Sequence, residues 1–206
     1  MGPPDRRTRS ALPPRSQHRR AARSRRTRAL ARPEGADAIW LAQRGWTVLG
    51  VDVSGVAVGR ARANAELAGV DGRARFARCD LATDFPVGAF ALVNAQFLHS
   101  PIAAPGERAR ILARAAQAVA PGGALLVVSH QSMPPWHPAM PEGLTDRPLD
   151  LTVPTPAENR SALGIDEAEW ETVLDDVVAL AVTSPSGEPG LREDHVLQLR
   201  RRAARL

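Results

Sequence analysis

Asp52 closes the run Trp46-Thr47-Val48-Leu49-Gly50-Val51, and an acid in that position has a definite chemistry open to it. A short apolar run rich in β-branched residues reads as a buried parallel strand. A carboxylate at the C-terminal tip of such a strand faces the crevice in which open α/β sheets bind nucleotides. There it accepts hydrogen bonds from a ribose, roughly 20 residues after a glycine-rich turn. Gly35 stands 17 residues upstream of Asp52. A second acid, Asp80, ends another strand-like stretch. Two histidines, His99 and His130, follow the fourth and fifth such stretches, where the crevice should lie. Either could act as general base toward an acceptor that must lose a proton, and Gln131, Trp136 and His137 follow in the same region. The plainer readings stand beside these: an acid ending a strand is a common turn residue or helix cap, and a loop histidine is often simply hydrogen-bonded in place.

Other chemistries find little support. His130 and His137 are seven apart in a loop, and the single cysteine, Cys79, reads as a strand-end packing residue, so no metal site is expected. No Gly-x-Ser-x-Gly elbow is present, which argues against a hydrolase. The Tyr-x-x-x-Lys pair of short-chain nicotinamide-dependent reductases needs two residue types this chain lacks altogether.

The elements that must position these residues alternate between strand and helix. Gly35–Arg44 reads as a helix stopped by Gly45, and the strand ending at Asp52 follows. Ser54 can cap a second helix running to about Ala68, with Val56, Val58, Ala63 and Leu67 among its expected buried positions. Arg73–Cys79 and Phe90–Ala95 read as strands, Glu107–Ala120 as a helix ended by Pro121-Gly122-Gly123, and Ala124–Ser129 as a buried strand. This alternation predicts an α/β fold: a Rossmann-like, doubly wound, mainly parallel sheet. From Gln131 to Pro156 runs a proline-rich loop, a length that suggests a lid or an acceptor-facing region. Trp170–Thr183 and Asp194–Leu199, separated by the turn chemistry of Ser186–Gly190, predict a C-terminal antiparallel hairpin.

Composition is uneven along the 206 residues. All 27 basic residues are arginine, and residues 1–33 hold eleven of them against the one acid Asp5; the remainder carries a net charge of −5. The N-terminal segment has no hydrophobic periodicity and five prolines, so it predicts a disordered tail ahead of a domain spanning 34–206. An Arg-rich, acid-poor N-terminus also resembles an organelle transit peptide or a nucleic-acid arm. The acidic domain lacks the basic, aromatic-rich face of a nucleic-acid reader, so only weak, tail-mediated binding is expected. One cysteine and no apolar run near 18 residues predict a reducing, cytoplasmic setting and no membrane partner.

Taken in order, Glu34-Gly35-Ala36-Asp37-Ala38 opening a helix, the strand ending Val51-Asp52, the Cys79-Asp80-Leu81 step and Val119-Ala120-Pro121-Gly122-Gly123 before a strand resemble the class I S-adenosylmethionine-dependent methyltransferases. The small bacterial members of the tellurite-resistance type are the most similar, over roughly Glu34 to Arg202. The resemblance implies S-adenosylmethionine as cofactor and a small-molecule methyl acceptor. It implies that Asp52 binds the ribose hydroxyls and that Asp80, between Cys79 and Leu81, meets the adenine. Asn94 to Leu98 would border the methionine part. The expected cofactor set is therefore Gly35, Asp52, Val53, Cys79, Asp80, Leu81 and Asn94.

The chain departs from the family where a buried strand, an acid and Gly-x-Gly-x-Gly should precede the first helix. Arg25 to Leu30 and Ala31-Arg32-Pro33-Glu34-Gly35 stand there instead. The first strand and the glycine loop are thus expected to be degraded or missing, leaving neighbouring strands unpaired and the cofactor poorly held. Resemblance that begins in mid-motif behind a tail of different composition points to a misassigned start, a frameshift or a degenerate gene. A non-catalytic methyltransferase-like domain is the alternative reading, ahead of a nicotinamide-dependent oxidoreductase or a basic-tail nucleic-acid binder.

Overall fold

The computed structural model describes residues 28–31, 35–98, 103–134 and 153–203. Seven strands are present: β1 (Arg28–Ala31), β2 (Thr47–Asp52), β3 (Ala74–Arg78), β4 (Phe90–Gln96), β5 (Val119–Ser132), β6 (Trp170–Thr183) and β7 (Pro189–Arg201). They form one sheet in the order β3-β2-β1-β4-β5-β7-β6. The first five run parallel, and β7 and β6 close the sheet as an antiparallel hairpin, as the alternation predicts. The helices are α1 (Ala36–Gln43), α2 (Gly55–Leu67), α3 (Glu107–Gln117) and the short α4 (Pro156–Ser161).

Local signals explain most boundaries. Gly45, at φ +90°, ends α1, and its N–H donates to the Ala42 carbonyl. Ser54 Oγ accepts from the Ala57 N–H and caps α2. The buried face of α2 is Val58, Ala61 and Ala65, whereas Val56, Ala63 and Leu67, expected inside, are exposed. Gly35 lies against Ala61, where an added Cβ would be in ordinary van der Waals contact at 3.4 Å. Helix α3 stops at Gln117, and Val119 already pairs with Phe90. Pro121-Gly122-Gly123 is therefore a bulge inside β5, with Gly122 at φ +77°, rather than a helix stop before a new strand.

The central strand is the main correction. Its slot was expected to stand degraded or missing, within a tail ending at residue 33. Instead Arg28–Ala31 pair with Thr47–Gly50 on one side, and Ala29–Ala31 pair with Leu92–Asn94 on the other. A ladder needs only backbone N–H and C=O groups, and Ala29 is small enough to be wholly buried between the helical layers. The strand is short, but its neighbours are paired. Residues 1–27, for which a disordered tail was expected, lie outside the described residues, as do Arg32, Pro33 and Glu34 of the loop and most of the proline-rich stretch after β5.

Core side chains alternate to the two faces of the sheet. Val48 and Phe76 pack with Ala38, Leu41, Val58 and Ala61 from α1 and α2. Val51, Val93, Leu125, Val127, Leu197 and Leu199 pack with Leu112 of α3 on the other. Helices α1 and α2 thus cover one face and α3 the other, and the change of side falls between β1 and β4. In open α/β sheets, that is where ligands bind.

Candidate active site

Asp52 ends β2 at the rim of that crevice, half-buried, with Oδ1 accepting the Ser54 N–H at 2.6 Å. Its carbonyl accepts from Cys79 N at 2.8 Å, which ties the tips of β2 and β3 together. Val53 is exposed, and its carbonyl accepts from Arg78 Nε at 3.0 Å. Asp80 is also exposed. Its Oδ1 accepts from Ala82 N and its carbonyl from Asp84 N at 2.7 Å, so it organises the turn that follows β3. The Cys79 thiol donates to the Asp84 carbonyl, and desolvation, then the charges of Asp84 and Asp80, push its pKa up. It is a packing residue with a held proton rather than a reactive thiolate. Leu81 packs on the α3-side core.

Gly35 opens α1 from a left-handed conformation at φ +82°, buried, which only glycine adopts without strain. In the first turn of the helix, Asp37 reaches across to β4. Its Oδ2 accepts from Asn94 Nδ2 at 3.2 Å and from Gln96 Nε2 at 2.7 Å, and Gln96 Nε2 also lies 2.9 Å from Asn94 Oδ1. Asn94 is level with Ala31, the last residue of β1, so this acid and its two amides stand at the crevice mouth. Asn94 was expected here, and Gln96 lies within the Asn94–Leu98 stretch expected beside it. Asp37 was not expected, because an acid in a first helical turn reads as a favourable dipole contact.

A second constellation stands further along, where β4, β5 and β7 meet. His130 and Asp194 are register partners across β5 and β7, and His130 Nδ1 lies 2.8 Å from Asp194 Oδ1. Asp194 is 3% exposed, and its other oxygen accepts from Arg192 Nε at 3.1 Å and Nη2 at 2.8 Å. Phe97, just past β4, stacks on the imidazole with ring centroids 4.4 Å apart. Its φ of +50° makes it the only described non-glycine residue in left-handed backbone space, and its N–H is fixed on the Val128 carbonyl at 2.8 Å. Asp194 left no trace in the sequence, because on β7 it lies out of phase with the apolar Leu197 and Leu199. Phe97 falls within the expected Asn94–Leu98 stretch, but nothing in the sequence signals its stacking on His130. Gln131, by contrast, is turned to structure, donating to the Pro154 carbonyl at 2.9 Å.

On the opposite face the same strands carry a buried polar chain. Asn159 Nδ2 of α4 donates to Ser129 Oγ at 2.7 Å and lies 2.9 Å from His195 Nδ1, whose Nε2 lies 2.8 Å from Asp175 Oδ1. Arg108 Nη2 donates to Asn159 Oδ1, and its burial lowers the guanidinium pKa. These contacts dock α4 against β5 and β7. The other expected acceptor-side residues, His99, Trp136 and His137, lie outside the described residues.

Residues 30–123 match a family model described as a methyltransferase domain. Among solved structures, an S-adenosylmethionine-dependent methyltransferase from Methanosarcina mazei is 18% identical, with 86% of this chain and 93% of that one covered at a TM-score of 0.59. TehB from Haemophilus influenzae is 14% identical, covering 90% of this chain and 60% of its own at 0.61. The N-methyltransferase NodS from Bradyrhizobium japonicum WM9, solved with S-adenosyl-L-homocysteine, is 15% identical, with 85% and 78% covered at 0.56. None of the curated proteins matches the chain. Strand order, the side change between β1 and β4 and the matched model agree: residues 30–123 are similar to a methyltransferase domain, and the chain has the fold of the class I methyltransferases.

Proposed function

We propose that the chain transfers a methyl group from S-adenosylmethionine to a small-molecule acceptor in the cytoplasm. The observation that carries this reading is the line of polar groups along the strand tips, Asp52 on β2, the Asp37–Asn94–Gln96 cluster over β1 and β4, and His130 on β5. The donors fit the cofactor's parts. A carboxylate at the tip of β2 suits a ribose diol. Asp37, an acid whose described partners are two neutral amides, suits the ammonium of a methionine moiety. Gly35, buried and left-handed, lets the chain pass close beneath it. Asp80, with Cys79 and Leu81, would border the adenine, and Val53 would lie along the ribose edge.

The cofactor supplies an electrophilic methyl group on a sulfonium; the protein's work is to hold the acceptor in line with it and to keep water out. Asn94 and Gln96 orient the methionine end, and the acceptor then lies toward Phe97 and His130. His99, which follows β4 in sequence, stays a candidate. In the alternative, a non-catalytic domain, Asp52 and Asp37 would be only a helix-cap partner and a dipole contact. Calorimetric titration with S-adenosylhomocysteine separates the two. The catalytic reading expects binding, and Asp52→Ala should weaken it about tenfold to a hundredfold, since hydrogen bonds to a charged group are worth roughly 1.5–3 kcal/mol. Unchanged affinity in a folded Asp52→Ala chain would remove Asp52 from the site, and no binding by the parent chain would remove the function.

No helix among the described residues is long and apolar enough to cross a membrane. The eleven arginines of residues 1–33 would give at most salt-dependent retention on nucleic acid, through phosphate contacts.

A further inference from the structure

We infer that the outer edge of β6 pairs with the β6 edge of a second copy of this chain, antiparallel and about a two-fold axis at Ala181. The inference is independent of the methyltransferase reading.

The two edges of the sheet are closed to different degrees. At one edge, β3 is short and carries Arg75 and Arg78. Its odd-numbered residues pair with β2: the Val48 N–H donates to the Arg73 carbonyl and the Cys79 N–H to the Asp52 carbonyl, so the even-numbered groups face outward. Two of these are already spent within the chain. The Ala74 N–H donates to the Val70 carbonyl at 2.8 Å, and the Phe76 carbonyl accepts from Arg62 Nε at 3.1 Å and Nη2 at 2.7 Å.

At the other edge, β6 is 14 residues long. The Ser184 N–H on the Glu188 carbonyl sets the phase of the β6–β7 ladder. Even-numbered residues from Leu174 to Val182 therefore turn their N–H and C=O groups to β7, and odd-numbered ones turn theirs outward. The outward Val177 N–H is taken by Asp176 Oδ1 at 2.8 Å. Ala179, Ala181 and Thr183 have no such cover among the described residues. The side chains are as open as the backbone. Five of the eleven large apolar side chains that stand exposed among the described residues are on β6: Val173, Leu174, Val177, Val178 and Leu180. Edge strands are normally blunted by charge, proline or a bulge. In β6 the acids Glu171, Asp175 and Asp176 and the bulge near Thr172 all lie in the first half, and residues 177–183 carry none of these.

The two long segments outside the described residues do not match this edge. Residues 1–27 hold nine arginines and four prolines, and residues 135–152 are broken by Pro135, Pro138, Pro141 and Pro148, so neither offers an uninterrupted run of strand formers. Residues 177–183 are themselves such a run, and the run complements itself. An antiparallel pair about Ala181 sets Ala181 on Ala181 and Ala179 on Thr183 of the second copy, using the open outward groups, with Leu180 beside Val182 of the second copy on the other sheet face. Charge selects this register. An axis near Asp176 would bring the acids of the two copies side by side, which is destabilising, whereas the Ala181 axis carries Glu171, Asp175 and Asp176 beyond the paired residues. The overlap is smaller than the roughly 20–30 residues a side of a standard interface, so the association is weak and depends on concentration.

The test is sedimentation equilibrium of the full chain from about 1 μM to about 300 μM, the range in which a weak pair forms and dissociates. The average mass should rise with concentration and stop at twice the monomer, because an isologous pair closes on itself. Ala181→Pro removes an outward donor and leaves the β6–β7 ladder intact, and it should weaken association about tenfold or more. Ala181→Lys and Ala181→Glu each set like charges against themselves across the axis, and each should weaken association about fivefold. An equimolar mixture of these two variants should associate at least as tightly as the parent, since the axis then joins opposite charges. Both substitutions suit an exposed strand position, so they decide the matter where Ala181→Pro fails to fold. A parent chain that stays monomeric throughout, parent-like association in the lysine and glutamate variants, a mixture no tighter than its components, or a mass that climbs past the dimer would each overturn the pairing.

Discussion

Asp37 and Gln96 meet at 2.7 Å across the end of β1, joining the first turn of one helix to a strand 59 residues later in sequence. The contact spans the place where the helical layer changes side, and it brings an acid to the mouth of the crevice from a position that looks like ordinary helix chemistry. If the acid is there for the methionine ammonium, Asp37→Asn keeps the size and the hydrogen-bonding capacity but removes the charge. We expect affinity for S-adenosylhomocysteine to fall roughly tenfold, the equivalent of about 1.4 kcal/mol, with little change in unfolding midpoint. A loss of stability without a loss of affinity would make Asp37 a structural link between α1 and β4 and nothing more.

Gly50 sits in the middle of β2 directly opposite Phe76, and a Cβ added there would fall 2.5 Å from the Phe76 ring. The aromatic ring occupies the space a side chain would need, and Phe76 is itself a core residue on the α1 and α2 face. Gly50→Val, though favourable for a strand by propensity, should therefore destabilise the domain by about 1–3 kcal/mol through overpacking. Adding Phe76→Leu to it should recover part of that loss, which denaturant unfolding of the single and double variants would measure. Equal or greater stability in Gly50→Val would show that the ring moves aside at no cost.

Helix α4 is short and depends on its cap. Thr155 Oγ1 accepts from the Glu158 N–H, and the Glu158 carboxylate accepts from the Thr155 N–H at 2.8 Å and from its hydroxyl at 2.9 Å. These hydrogen bonds, the backbone one foremost, hold the Glu158 pKa below the ordinary glutamate value. A carboxylate with a lowered folded pKa contributes its stability above the unfolded pKa and loses it as pH falls through the folded one. Glu158→Gln should thus cost more at pH 7 than at pH 3, while Thr155→Ala should cost about 1 kcal/mol near neutrality. Thermal unfolding at the two pH values checks the sign. A Glu158→Gln penalty that grows on acidification would contradict it.

How much of this was legible follows from the range of the interactions concerned. The strand-ending Asp52, the Ser54 cap and the hairpin from Trp170 onward are local patterns, and each falls where the sequence puts it. The buried face of α2 was misjudged because Val58, Ala61 and Ala65 are turned inward by packing with α1, β2 and β3, contacts between elements that periodicity alone does not contain. The His130–Asp194 pair was half legible. The histidine stood at a strand tip, but its partner is 64 residues away and became a partner only through the register of β5 on β7. The central strand was missed for a different reason. Its Ala29-Leu30-Ala31 core is too short to register as an apolar run inside an arginine-rich segment, and backbone pairing on both sides supplies what the side chains do not signal.

That finding changes what the sequence between β1 and α1 should do. With the central strand paired on both edges, the sheet has no ladder left open at that position, so the loop sequence need not weaken the fold. What Ala31-Arg32-Pro33-Glu34-Gly35 still lacks, relative to a Gly-x-Gly-x-Gly turn, is chemical: proline has no N–H to offer a bound carboxylate, and only one glycine allows close backbone approach. Stability and cofactor affinity should therefore respond separately. Replacing Pro33 with glycine restores one donor and one flexible residue, and should raise affinity for S-adenosylhomocysteine about tenfold, the equivalent of about 1.4 kcal/mol for one hydrogen bond to a charged group. The unfolding free energy should change little, or fall by several tenths of a kcal/mol, because glycine adds freedom to the unfolded chain. Calorimetry on the Pro33→Gly chain gives the first quantity and urea unfolding the second. A parallel rise in both would mean that β1 is only loosely held and that the loop limits the fold; an affinity unchanged by Pro33→Gly would mean that the methionine carboxylate is held elsewhere, with Arg32 the first residue to test by Arg32→Ala.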